Sequence, residues 1–197
     1  MHFATEFWLT RFCFQRALGC IYLIAFLIAT SQFIPLLGER GLQPVRRFLR
    51  RVPFRRAPSL FYIHCSDRFI TAAIWCGIAL SLFAVTGWSE SFGLIVSMIA
   101  WALLWMIYLS LVNVGQTFYG FGWETMLAET GFLAIFLGSS DAHPPVVVMW
   151  LIVWVLFRTM FGAGMIKLRS DPCWRNLTCL FYHYETQPLP NPLSWYL

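Results

Sequence analysis

Uncharged apolar runs long enough to cross a lipid bilayer constrain this chain more than any other feature. A bilayer's hydrocarbon core is about 30 Å thick and takes ~20 helical residues. Residues 17–37, 69–88 and 92–112 carry no Asp, Glu, Lys or Arg. Residues 121–138 and 146–166 are nearly as apolar but contain Glu124, Glu129 and Arg158. Backbone in lipid must satisfy its own hydrogen bonds, and a helix does so within one segment. The expected fold class is therefore an all-α integral membrane protein, a bundle of about five transmembrane helices without β-sheet. Composition agrees: 59% of residues are hydrophobic and 12% charged, against about 25% charged in soluble domains.

The remaining segments set the organisation. Residues 1–16 are too charged to span; Phe3, Phe7, Trp8 and Phe14 set against Glu6, Arg11 and Arg16 suggest an amphipathic helix lying in the membrane interface. The apolar run that follows has no small-residue cleavage site with polar sequence behind it, so it is expected to stay as an anchor. Pro44, Pro53 and Pro58 prevent a long helix in the loop 38–68. Ser89, Glu90 and Ser91 alone separate the second and third runs, which makes those two an antiparallel hairpin. Pro144 and Pro145 end the fourth run and open the fifth. The polar and aromatic tail, 167–197, is expected to finish extended because of Pro188, Pro190 and Pro192.

Charge is concentrated. Of 14 basic residues, Arg40, Arg46, Arg47, Arg50, Arg51, Arg55, Arg56 and Arg68 lie in the loop 38–68. Such a block beside a span faces cytoplasm or anionic headgroups; beside five spans, nucleic acid is not the expected partner. No Cys or His spacing suits zinc, and neither metal nor cofactor is expected. Cys20 and Cys76 lie in apolar runs and read as small apolar residues. Cys173 and Cys179 lie in the polar tail and are placed to pair if that tail faces an oxidising compartment.

Glu124, Glu129 and Arg158 would each cost roughly 2.5–3.5 kcal/mol in a span, so each needs a partner or a purpose. A hairpin of the fourth and fifth runs brings both carboxylates within about one helical turn of Arg158. Two readings stay open: an ion pair that locks two helices, or a polar site for substrate, proton or client, with Lys167 at its edge. Lys167 also reads as a lysine snorkelling to the interface. Gly162 and Gly164 read as helix-packing positions. Trp101, Trp105, Trp150 and Trp154 read as bundle packing or interface belt.

Several stretches resemble the lipase maturation factor family: FWLTRFCFQRALGCIYLIAFLIA (7–29), LLGERGLQP (36–44), SLVNVGQTFYGFGWETMLAETGFLAIFL (110–137) and FRTMFGAGMIKLRSDPCWRNLTCLFYHYETQPLPNPLSWYL (157–197). The motifs are FGWE, ETGF, GAG-x-x-K, the Cys173/Cys179 pair and HYETQPLPNP. The resemblance implies a membrane-embedded factor for folding or assembly of secreted lipases, with a protein client and no catalysis of its own. A distant similarity of Gly164-Met-Ile-Lys167-Leu168 to a glycine–x–x–lysine–leucine turn of the vitamin K-dependent carboxylase superfamily implies an alternative, a membrane enzyme with Lys167 as a buried base. Family members usually continue into further membrane segments and a large C-terminal domain. A chain ending at Leu197 therefore suggests a third reading, a small accessory subunit of a larger membrane complex. The arginine-rich loop looks bacterial, so a bacterial inner membrane is expected rather than the endoplasmic reticulum. Charge counting puts the tail in the cytoplasm, whereas the family's arrangement, with a cytoplasmic N-terminus, puts it outside.

Overall fold

A computed structural model describes residues 7–140 and 142–183. The outer end of the expected interfacial helix (Phe3 and Glu6), Asp141, and the expected extended end at Pro188, Pro190 and Pro192 lie outside the described residues. The chain divides into two compact units, Met1–Ile152 and Val153–Leu197.

The first unit is built on α1 (Trp8–Leu37). Its buried positions Arg11, Gln15, Leu18, Tyr22, Phe26, Ala29, Phe33 and Leu37 recur every three or four residues, one continuous face of one helix. Helix α1 runs without a break through residue 16, so residues 8–16 and the first apolar run form one continuous helix. After α1 the loop forms α2 (Val45–Arg51), closed off before Pro53, and a single 3-10 turn at Leu60–Tyr62. The second span is α3 (Asp67–Val85), whose first turn is capped by Ser66 Oγ accepting from the Phe69 amide at 3.3 Å. A helical turn, α4 (Trp88–Ser91), reverses the chain into α5 (Leu94–Val114), and a 3-10 turn at Gln116–Tyr119 leads to α6 (Gly122–Ala134).

Among the described residues, four helices are long and apolar enough to cross a membrane: α1, α3, α5 and α7 (Val146–Arg169). The expected fourth span differs in form. Helix α6 has 13 residues, about 20 Å at 1.5 Å each. Past it, the amides of Ile135, Phe136 and Leu137 bond three residues back, and Gly138 turns with φ +83°. The segment nonetheless joins both ends of the first unit. Before it, Gln116 Nε2 donates to Gln43 O at 2.9 Å, beside the C-terminal end of α1. After it, Ser140 Oγ donates to Glu90 O at 3.3 Å, at the opposite end.

Packing in this unit depends on close approach. A Cβ on Gly77 of α3 would come within 2.5 Å of the Phe26 ring, and a Cβ on Gly131 of α6 would collide with the Tyr22 hydroxyl. Small residues thus let α1 lie against both helices. The Phe26 and Tyr22 rings sit edge-on to Tyr108 of α5, at 5.9 and 5.2 Å between centroids, and Tyr22 also meets Trp101 at 6.4 Å. The loop 38–66 folds over the end of α5. Ser59 Oγ donates to Ser110 O at 3.1 Å, the Leu60 amide donates to Ser110 Oγ at 3.0 Å, and Asn113 Nδ2 donates to Pro58 O at 2.7 Å.

The second unit holds the last part of α7, then α8 (Pro172–Arg175) and α9 (Leu180–His183). Asp171 Oδ1 caps α8 by accepting from the Cys173 amide at 2.9 Å, and Arg175 Nε donates to Leu168 O at 2.7 Å. All the regular structure among the described residues is helical.

Candidate functional site

Glu124 stands in the first turn of α6, where the helix dipole favours negative charge. It is half-buried. Its carboxylate accepts from the Tyr108 hydroxyl, and Trp123 Nε1 donates to it at 3.0 Å. Neither donor carries charge, so a sequence reading that looked for a cation could not have named them. Tyr119, on the turn before α6, is part of the same group: burial first, then the Glu124 carboxylate, pushes its phenol well above the ordinary range. These residues form the polar end of a cavity of about 650 Å³ between α1 and α6. Its walls are otherwise mostly apolar, with Ala17, Ile21, Ile24, Ala25 and Ile28 along α1 and Gln32 and Thr130 as the polar exceptions. Glu129 is half-buried one helical turn further along α6.

A second polar group holds the opposite end of the first unit. Arg11 is only 4% exposed; its guanidinium donates to Ser140 O at 3.1 Å and to Ala142 O. One turn on, the fully buried Gln15 donates to Gly138 O at 3.2 Å, and Ser97 Oγ of α5 also reaches that carbonyl, at 3.4 Å. Arg16 forms an ion pair with the buried Glu90 of α4. Carbonyls freed by the irregular stretch after α6 thus find donors on α1 and α5, as backbone at membrane depth requires. None of Gln15, Ser97 and Glu90 stood out from sequence. The signal was present, however: Arg11 and Gln15 extend the buried three-and-four stripe of α1.

The other expected site residues fall as follows. Arg158 is exposed along α7, in the second unit. Lys167 is exposed near the end of α7 with its ammonium 4.7 Å from the centre of the Trp174 ring. A Cβ on Gly162 or Gly164 would meet nothing within 4 Å. Close approaches between helices of the first unit include Gly77 against Phe26 and Gly131 against Tyr22. Cys173 and Cys179 are joined by a disulfide, with 4.9 Å between their Cα atoms. Arg46, Arg47, Arg50, Arg51, Arg55 and Arg56 are all exposed on and after α2, with exposed Leu42 before them and exposed Phe54 among them.

Residues 9–197 match the family described as Lipase maturation factor transmembrane domain. The chain belongs to the lipase maturation factor family. It is 44% identical to lipase maturation factor 1 of Bos taurus over 98% of this chain and 37% of that protein. With lipase maturation factor 1 of Homo sapiens the identity is 44% over 97% of this chain and 36% of the relative. With lipase maturation factor 2 of Xenopus laevis it is 38% over 95% and 29%. The chain thus spans about a third of the length of these relatives. No solved structure matches it. These relatives are vertebrate proteins, so they lend no support to the bacterial inner membrane expected from the arginine-rich loop. A lipase maturation factor segment with four helices of membrane-crossing length is an integral membrane protein.

Proposed function

We propose that this segment is the membrane-embedded part of a factor that folds or assembles secreted lipases. The observation that carries the reading is the family match across residues 9–197, shared with relatives named for lipase maturation. The client is a lipase chain and the segment acts on it without covalent chemistry. The tail lies on an oxidising face of the membrane, which the Cys173–Cys179 disulfide supports. The arginines of α2 and its following turn hold anionic headgroups, with Leu42 and Phe54 entering the interface. Glu124, Glu129, Arg158 and Lys167 serve as the polar groups of the segment that answer to client or neighbouring helices.

A chimaera tests the reading. In cells lacking their own lipase maturation factor 1, the membrane segment of the human relative is replaced by residues 9–197 of this chain. Active secreted lipase per unit of lipase protein should recover to near the level given by the unmodified relative. A chimaera that inserts normally and leaves the secreted lipase inactive would contradict it.

A further inference from the structure

We infer that the cavity between α1 and α6 is a lipid site, taking one acyl chain along α1 and the amine of an aminophospholipid at Glu124. Four features of the structure lead there. The first is shape: about 650 Å³ is within the ordinary size of a ligand pocket, and the lining runs along α1 from Phe14 to Leu36. At 1.5 Å per residue that is about 33 Å, enough for an extended chain.

The second is polarity. Ala17, Ile21, Ile24, Ala25 and Ile28 make the α1 wall apolar, whereas Tyr119 packs on Phe33 towards the C-terminal end of α1 and the Glu124 carboxylate, bonded to Tyr108 and Trp123, acts on it. That is the order of a lipid, with the head at the interface and the chain inward. The polar end lies beside the turns Leu37–Gln43 and Gln116–Tyr119, where the spans α1 and α5 stop.

The third is charge. Among the described residues, no lysine or arginine lines the cavity. The Glu124 carboxylate takes one hydrogen bond from Tyr108 and one from Trp123, leaving about two of its four acceptor positions for an incoming donor. A primary ammonium supplies both donors and the opposite charge; a quaternary ammonium supplies only charge, and a neutral glyceride only a hydroxyl.

The fourth is accommodation on α6. Gly131 and Ala128 are small and buried, and Thr130 turns its hydroxyl back to Met126 O at 2.9 Å, so the groove floor presents few free polar groups. A second transmembrane helix would leave Glu124 facing apolar side chains unless it brought its own donor.

The test is photocrosslinking in native membranes with phosphatidylethanolamine carrying a diazirine in one acyl chain, and with the phosphatidylcholine of the same chain as control. Adducts are mapped by mass spectrometry. The ethanolamine lipid should label residues 21–28 and 126–130, several-fold above the choline lipid. Glu124→Gln should remove that preference, a drop of about tenfold because charge-assisted hydrogen bonds are lost. Ala25→Phe, which fills the groove, should abolish adducts on both stretches. If that variant fails to reach the membrane, Ala25→Leu should reduce them. Three results overturn the inference. Adducts could be equally dense around the exposed Trp75 and Trp88 and indifferent to Ala25→Phe, which is bulk lipid contact. They could depend on Ala25 but not on headgroup, which removes the role given to Glu124. Or the groove could yield protein–protein crosslinks in place of lipid, which makes a helix its occupant.

Discussion

Replacing Glu90 with glutamine should cost this protein more than any surface charge. The Glu90 side chain is 5% exposed and that of its partner Arg16 is 22% exposed. The Arg16 guanidinium also lies 4.5 Å from the centre of the Phe12 ring and passes over Gly87, where a positive φ leaves room that a side chain would fill. Breaking a fully buried pair costs roughly 3–5 kcal/mol, whereas exposed pairs are worth about 0.2–1 kcal/mol. With one member covered and the other a fifth exposed, Glu90→Gln should cost about 2–3 kcal/mol. That is a change of roughly 30- to 150-fold in the folded-to-unfolded ratio. The assay is reversible unfolding in mixed micelles, followed by tryptophan fluorescence. Arg16→Met should cost a similar amount, because it strands a buried carboxylate. The double variant Arg16→Met with Glu90→Leu should recover most of the loss, since apolar replacement of a buried pair is often neutral. Single variants that unfold within about 0.5 kcal/mol of the parent, or losses that simply add, would refute the coupling.

Other consequences follow from the same contacts. Gly131→Ala should lower stability by about 1–3 kcal/mol through overpacking against Tyr22; adding Tyr22→Phe removes the colliding hydroxyl and should return part of it, read from melting in detergent. Ser110→Ala deletes the acceptor of the Leu60 amide, costs about 0.5–1.5 kcal/mol, and should speed limited proteolysis within residues 38–66. Burial chiefly raises the Cys65 thiol, with Arg46 opposing and Glu39 and Asp67 adding. Because only the thiolate reacts, its alkylation should climb with pH at higher pH than that of a free thiol such as glutathione. An impermeant thiol reagent applied to intact membranes should label Cys179 from the oxidising face only after reduction; labelling only after permeabilisation, without reduction, would put the tail in the cytoplasm.

Much of the fold was legible because the cost of charge in lipid is large and one-dimensional. Runs without Asp, Glu, Lys or Arg mark α1, α3 and α5 directly, and Ser89-Glu90-Ser91 marks the reversal between the last two. What the sequence hid is the content of that reversal. Glu90 read as a turn residue, and only three-dimensional packing brings it to Arg16, 74 residues away. Arg11 reads as the wet side of an interfacial helix because its acceptors are carbonyls 129 and 131 residues further on. Backbone carbonyls leave no mark in a side-chain pattern. Glu124 was conspicuous as an acid in an apolar run, but its partners are a tyrosine and a tryptophan, which hydropathy counts as part of the run. Glycines divide the same way. Gly162 and Gly164 are conspicuous by their proximity in sequence, whereas the contacts of Gly77 and Gly131 are made by Phe26 and Tyr22, residues on another helix.

The central claim is that this segment handles a lipase while that lipase folds, and pulse-chase crosslinking reads it directly. A photoreactive amino acid is placed at Trp123, at the mouth of the cavity. Newly made lipase is then followed in native membranes. The account predicts a lipase adduct that is strongest just after synthesis and fades as active lipase is secreted. A stable adduct with a stoichiometric membrane subunit, and none with lipase at any time, would contradict it.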